Sequence, residues 1–358
     1  MKISKLYANN DNFKTIEFDS GINFILSDTN GVGKSSLFKL IDFCLLGDKH
    51  FLGHEHFKDY IFYIELQISS NRYITIKRPI KSGKNIELKI TKEKSILLDE
   101  TDFNIKGSLG VAKSFYENKV NYSINKFRTY ITYFLRDEDN QNDVFILNKQ
   151  ASLNEIEYKT VVSELVGIDG RKIRRKYELD EIIKKSEIDS TSFKNAQSDL
   201  EKVIEENKTL ISSRFIDRLK YSVKKYGNII FDKEVIFSID LNTSNDIEFS
   251  IKVKDDKVKN DDPKIKKLLC LVFASALAET YIQKRLIKFV AFDSPFDADY
   301  NTYEDGIYFA IHELNRIGIQ TIITSNENAI HNSSNLLEIK NEYLTDYFSN
   351  DDKLMGDF

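Results

Sequence analysis

Residues 27 to 36 read Ser-Asp-Thr-Asn-Gly-Val-Gly-Lys-Ser-Ser. They stand between the apolar run Ile22 to Leu26 and a segment, Leu37 to Leu46, whose apolar residues recur at helical spacing. A buried strand that turns through glycines into a helix points to an α/β fold on a parallel sheet. The turn also carries chemistry. Gly31 and Gly33 let backbone N–H groups converge on an anion, and the positive end of the helix dipole adds to them. Lys34 is placed to reach the β- and γ-phosphates of a nucleotide and Ser35 to ligate Mg²⁺. Asn30, Gly31, Val32, Gly33, Lys34, Ser35 and Ser36 therefore form the expected ATP-binding set. One position departs from the pattern G-x-x-x-x-G-K-[ST]: Asp28 stands at the first Gly. A carboxylate there is acceptable only if it points away from phosphate or caps a turn.

Around this loop the first 80 residues read as strands: 1–7, 15–18, 22–26, 60–68 and 73–78 are rich in β-branched and aromatic residues. A hairpin is expected from Asn85 to Ile90 with Ile96 to Leu98, a short helix over 108–116, and an apolar segment over 127–135. From Glu155 to Tyr226 the charges alternate in sign and the apolar spacing is helical, broken at Asp189-Ser190-Thr191-Ser192, which predicts two helices turning back on each other. Strands at 229–239, 247–253, 286–292 and 320–324 then alternate with helices at 264–284 and 303–315. Near-continuous apolar strands of this kind belong in a parallel sheet covered on both faces. The expected division is an N-terminal lobe 1–154, a helical insertion 155–226, a C-terminal lobe 227–340 and a solvated acidic tail 341–358.

Lys288-Phe289-Val290-Ala291-Phe292-Asp293 is an apolar strand ending in an acid, followed by Ser294-Pro295. An Asp emerging at the C-terminal end of such a strand suits Mg²⁺ organisation beside a phosphate loop, and the two are expected on neighbouring strands. The competing reading is a carboxylate that merely caps the next turn.

In this order, the loop at 30–36, the helical insertion, Asp293, the Asp297/Asp299 region and Thr321 to Thr324 before Ser325-Asn326 resemble SMC, RecN and RecF-type ATPases. These are ABC-class heads split by a coiled coil. Lys5 to Asn10, Gly33 to Leu37 with Ile41 to Gly47, and Phe57 to Glu65 look like YydD-type proteins, bacterial SMC-like ATPases with a C-terminal domain of unknown function. The resemblance covers residues 1–170 and recurs around 265–330. It implies a discontinuous P-loop NTPase head, interrupted here by a short helical hairpin, that sandwiches ATP and Mg²⁺ between two protomers. It also implies action on, or sensing of, DNA alongside other subunits of a multi-gene anti-phage or genome-maintenance system. The departures bear on turnover. The family's signature loop is replaced before the helix at 264 by Asn260-Asp261-Asp262-Pro263, a good helix start but a poor phosphate ligand. Where the family has its general base, Ser294 stands, which cannot take a proton from water at neutral pH. Asp297 or Asp299 is the remaining carboxylate, so Asp293 and Asp297 are the candidate catalytic pair. Ser325-Asn326 replaces a switch His. Arg128, Arg136 and Gln141 lie where a γ-phosphate sensor could fall, with no single assignment.

Other signals are weaker. The basic run Arg171-Lys172-Ile173-Arg174-Arg175-Lys176 offers Arg171, Arg174 and Arg175 as DNA contacts, against a solvated helix face with Glu178, Asp180 and Glu181 nearby. A net charge of −4 over 358 residues excludes a generally basic nucleic-acid surface. His54-Glu55-His56 lacks a third metal ligand by spacing. Asn148-Lys149 is followed by Ala151, which leaves guanine specificity unsupported. Cys44 and Cys270 fall in apolar helical patterns, as buried thiols of a reducing compartment do. With no apolar run of ~20 residues and no signal-peptide pattern, the expected location is the cytoplasm, away from membranes.

Overall fold

The apolar runs at 22–26, 289–292 and 320–324 enter one parallel sheet, whereas the strands expected over 229–239 and 247–253 pair antiparallel with each other instead. The computed structural model describes residues 1–29, 33–47, 57–81, 85–94, 103, 105–108, 124–147, 155–186, 190–211, 213–282, 287–296, 302–327, 334–349 and 351–354. They fall into two units, Met1–Asp139 with Tyr281–Phe358, and Asn140–Thr280.

The first unit begins with β1 (Lys2–Ala8), β2 (Ile16–Glu17), β3 (Ile22–Ser27) and α1 (Lys34–Cys44). It continues through β4 (Ile61–Ser69), β5 (Arg72–Pro79), β6 (Asn85–Thr91), β7 (Ile105–Ser108), α2 (Ile124–Phe134) and β8 (Leu135–Arg136). The second unit holds α3 (Glu155–Leu165), α4 (Gly170–Lys185), α5 (Thr191–Leu210), α6 (Arg214–Phe231), β9 (Val235–Leu241), β10 (Ile247–Val253) and α7 (Pro263–Tyr281). The chain then returns to the first with β11 (Phe289–Phe292), α8 (Glu304–Arg316), β12 (Gln320–Asn326), α9 (Ser334–Tyr343) and β13 (Leu344–Phe348).

In the first unit, an antiparallel sheet has the order β2-β1-β4-β5-β6-β7 and a second sheet the order β13-β3-β12-β11-β8. Every pairing in the second is parallel, with Asn326 opposite Ser27, Phe292 opposite Ile323 and Phe348 opposite Ser27. Strands from the two chain ends thus share one sheet, and their C-terminal ends lie along one edge. β3 is buried along its whole length, with α1, α8 and α9 packed against it. That coverage is why its sequence shows no polar alternation. Phe24, fully buried and edge-on to Phe296 at 6.4 Å, is typical of this core.

The second unit is organised around a hairpin instead. β9 and β10 pair antiparallel from Val235–Val253 to Leu241–Ile247. Phe145, Phe237, Phe249 and Phe273 cluster with ring centroids 5.2–6.1 Å apart, so the chain before the helices, the hairpin and α7 share one core.

Several expectations change. The span 155–226 holds four helices rather than two, although α4 and α5 do form the expected antiparallel pair, with Lys172 near the start of one bonded to Glu206 near the end of the other at 2.6 Å. The division of the chain also differs: β9, β10 and α7 fall in the unit of the helices, where β9 packs on α6, Lys176 of α4 meets Asp246 at 2.5 Å and Lys225 of α6 meets Glu279 of α7 at 3.0 Å. Ile229-Ile230-Phe231 reads as the start of a strand but completes α6, whose buried Ile216, Leu219, Val223, Tyr226 and Ile230 follow a helical repeat. The acidic end is not a solvated tail; Leu344–Phe348 is an edge strand beside β3. β3 and β11 are not neighbours either, since β12 lies between them. The expected segment 96–98, nearly all of the helix over 108–116, and His54-Glu55-His56 lie outside the described residues.

Candidate phosphate and metal site

The C-terminal edge of the parallel sheet gathers two strand-end structures. At the end of β3, Lys34 is only 9% exposed, and its ammonium donates to Ser27 Oγ. Ser27 Oγ donates in turn to the Thr29 carbonyl at 2.8 Å. The lysine is therefore folded back over the strand that launches the loop. Asp28 is accommodated as a turn residue: Thr29 Oγ1 donates to its Oδ1 at 3.0 Å. Gly33 is the N-cap of α1 at φ 109°, a conformation that L side chains rarely adopt, and makes no side-chain cap bond. The first helical hydrogen bond is Leu37 N–H to the Gly33 carbonyl at 2.9 Å. With no acid in that first turn, the N–H groups of Lys34, Ser35 and Ser36 have no intrahelical acceptor. A helix N-terminus beside a buried ammonium suits a bound phosphate, and the Ser35 hydroxyl begins the same turn. Asn30, Gly31 and Val32 lie outside the described residues.

The far end of α1 is fastened just as firmly. Arg78 donates to the carbonyls of Phe43 and, at 2.6 Å, Gly47. Arg128 bonds Asp42 Oδ1 at 2.7 Å and the Leu45 carbonyl at 3.0 Å. These arginines satisfy the carbonyls that a helix C-terminus leaves open. An 11-residue helix spans roughly 16 Å, so Arg128 anchors α1 at the end away from the loop, which removes it from the candidate phosphate sensors. Burial pushes the Cys44 thiol on the same helix up to about 12, against the pull of Arg78. Both cysteines are buried and neither is in a disulfide.

Two strands away, Asp293 is 2% exposed. Thr324 Oγ1 donates to its Oδ1 at 2.6 Å, Ser294 Oγ donates to the same oxygen at 3.3 Å, and its backbone N–H meets the Arg136 carbonyl at 3.0 Å. The Ser294 N–H in turn donates to Thr324 Oγ1 at 3.0 Å. Thr324 thus ties the end of β11 to β12, and its sequence signal is weak, because Gln320, Thr321, Ser325 and Asn326 make the same strand polar on either side of Ile322-Ile323. Ser294 adopts φ 51°, the left-handed region that a non-glycine residue enters at a cost. With about 4.8 Å between adjacent strands, the ends of β3 and β11 stand roughly 10 Å apart, which leaves room for phosphate and a hydrated cation. Asp293 and Ser35 carry oxygens of the type that Mg²⁺ prefers. Asp297 and Asp299 lie outside the described residues. Arg136, fully buried, ends β8 on the same edge with its guanidinium 5.1 Å from the Tyr133 ring; Gln141 falls in the second unit.

A carboxylate that sequence reasoning passed over, Glu327, follows β12 at this edge. It accepts from Tyr347 Oη and from Lys340 Nζ, both at 2.5 Å. The hydrogen bond to Glu327, with desolvation and the charges of Glu327 and Asp28, pushes the Tyr347 phenol up to about 12. Since β3 lies between β12 and β13, this contact bridges the root of the loop.

In the second unit, the basic run is largely neutralised from within. Arg171 makes paired bonds to Asp169 at 3.0 and 2.8 Å, Arg175 meets Glu178 at 3.4 Å, and Lys176 meets Asp246 and Asp180 at 2.5 and 2.8 Å. Arg174 is exposed and has no ion pair among the described residues. Asn260 caps the hairpin through the Val253 N–H at 2.8 Å, while Asp262 caps α7 through the Lys264 N–H at 2.8 Å. The described residues contain no group of three potential metal ligands of the His, Cys, Asp or Glu type and no helix long and apolar enough to cross a membrane.

Comparison with protein-family models and with curated proteins finds no match. Among solved structures, the chain is similar to an Smc head bound to the C-winged helix domain of ScpA. The TM-score is 0.48 at 12% identity, covering 92% of this chain and 90% of that one. It is also similar to an Smc head domain with an extended coiled coil, bound to the C-terminal domain of ScpA derived from Pyrococcus furiosus, with TM-score 0.40, 16% identity and the same coverages.

Proposed function

We propose that this chain is an ATP- and Mg²⁺-binding head of the SMC type, closing on a second copy when ATP is bound and releasing it on slow hydrolysis. The observation that carries the reading is the pairing at one sheet edge of a buried Lys34 at the start of α1 with a buried Asp293 held by Thr324. In this reading Lys34 and the first-turn amides hold the phosphates. Ser35 and Asp293 hold Mg²⁺, which supplies charge neutralisation at the phosphates when bound. Thr324 and Ser294 keep the Asp293 carboxylate turned to its task. Asp297 is the carboxylate left to activate water in place of Ser294. The order of motifs further suggests a cytoplasmic role in bacterial defence or genome maintenance in which the heads act on or sense DNA, with Arg171, Arg174 and Arg175 as the candidate contacts.

A second reading is favoured by Ser294 itself, a hydroxyl at the general-base position. Here the chain is a nucleotide-gated scaffold that controls a partner effector with little or no hydrolysis. Calorimetric titration with ATP and Mg²⁺ tests the shared part: wild type binds and Lys34→Ala does not. Equal affinity of the two proteins refutes the site. Steady-state hydrolysis with and without duplex DNA separates the readings, because turnover that DNA does not change and Asp293→Asn does not lower rules out the ATP-driven head.

A further inference from the structure

The C-terminal segment meets the phosphate loop at both of its ends. At the start, the Asp28 N–H donates to the Phe348 carbonyl at 3.3 Å, extending the β13–β3 ladder by one bond. At the far end, Leu354 is fully buried and lies on Gly33, so close that a Cβ built on that glycine would stand 2.7 Å from Leu354 Cβ. Gly33 therefore answers two demands at once, its left-handed φ and the approach of Leu354. Between these contacts the segment is clamped by Lys14. Its ammonium pairs with Asp346 at 2.7 Å and with Asp352, and donates to the Tyr347 carbonyl at 3.1 Å; its backbone N–H donates to the Leu354 carbonyl at 3.0 Å. Ser349 and Asp352 exchange backbone hydrogen bonds at 3.1 and 3.2 Å, which turns the chain back toward the loop.

We propose that this segment is a brace that pre-organises the phosphate loop, with Leu354 as a positioning residue and Lys14 as its fastening. The proposal rests on the reading that residues 28–36 bind ATP. A glycine-containing loop loses much conformational freedom when it closes on phosphate, and a contact that fixes both its ends removes part of that loss before the ligand arrives. The segment is a brace rather than a plug because of where its charges go. Asp346 and Asp352 are turned to Lys14 rather than to the α1 N-terminus. The group that touches the loop, Leu354, is apolar and makes no claim on the phosphate donors.

The test is a calorimetric titration of ATP with Mg²⁺ into wild type, Leu354→Ala, Leu354→Met, Lys14→Gln and Lys34→Ala, with a thermal melt of each. If the unbraced loop is binding-competent a tenth of the time, Leu354→Ala weakens ATP binding about tenfold. Leu354→Met, which keeps the volume, stays within about twofold of wild type. Lys14→Gln weakens binding by a smaller factor and serves where Leu354→Ala melts too low to titrate. ATP binding at wild-type strength or tighter in folded Leu354→Ala, or unchanged in Lys14→Gln, overturns the brace. Absence of binding by wild type, or equal binding by Lys34→Ala, overturns the nucleotide reading and the brace with it.

Discussion

The ends of β3 and β11 lie on one edge of one sheet, yet they are built to different degrees of completeness. At the β3 end, in the reading proposed above, the Lys34 ammonium and the start of α1 hold phosphate. At the β11 end the carboxylate that suits a metal is held by Thr324, but the next residue is a serine in a left-handed conformation. In that reading, holding a nucleotide and activating a water are separable, because different strands supply them. A chain can keep the first while the second weakens.

The contrast breaks most directly at Ser294. Replacing it by Glu restores a general base, for which about 10²-fold in hydrolysis rate is the expected gain in a phosphate-release assay; no gain shows that more than the base is missing. The backbone already pays for its left-handed φ with a non-glycine residue, so the substitution adds little strain there. Lys34→Ala is expected to cost at least about 100-fold in ATP affinity by calorimetry, roughly 2.7 kcal/mol, with the melting temperature little changed. Asp293→Asn should leave nucleotide binding in EDTA intact and remove about tenfold of the Mg²⁺-dependent gain; a Mg²⁺ response like that of wild type reduces Asp293 to a turn cap. Thr324→Val, by leaving buried polar groups unmatched, should lower stability by about 1–3 kcal/mol in a denaturant titration and lessen the Mg²⁺ response in step. The smallest effect belongs to the other unit. Arg175 already has Glu178 as partner, so Arg174→Glu with Arg175→Glu should change the salt slope of DNA binding by no more than about one. A larger change makes that helix a phosphate contact.

The same contrast runs through what could be read in advance. β3, β11 and β12 were legible because strands covered on both faces carry unbroken apolar stretches such as Phe24 to Leu26, Phe289 to Phe292 and Ile322-Ile323, and the glycines with Lys34 announce the turn. Asp293 was legible as an acid at a strand's end. Its distance from the loop was not, since sheet order depends on which strands pair, and β12 enters between β3 and β11 from 320–326. The strand Leu344–Phe348 was missed because its acid, Asp346, is offset by Lys14, some 330 residues earlier in the chain. Burial holds the Asp346 carboxyl above the usual range even so, with Lys14 opposing it. Arg128 stood with Arg136 and Gln141 where a sensor could fall, unassigned, because charge alone does not tell a ligand for phosphate from a cap for helix carbonyls. Ile229 to Phe231 looked extended because β-branched residues favour strands, and the helical repeat of α6 overrode that preference.

The central claim is that this edge holds ATP with Mg²⁺ and turns it over slowly. A calorimetric titration of the wild-type chain with ATP and Mg²⁺, with ADP quantified in the same cell at its end, tests it in one experiment. The account predicts saturable binding that Lys34→Ala abolishes, with ADP formed far more slowly than the ~10 s⁻¹ typical of enzymes. No binding, or turnover at that typical rate with Ser294 in place, contradicts it.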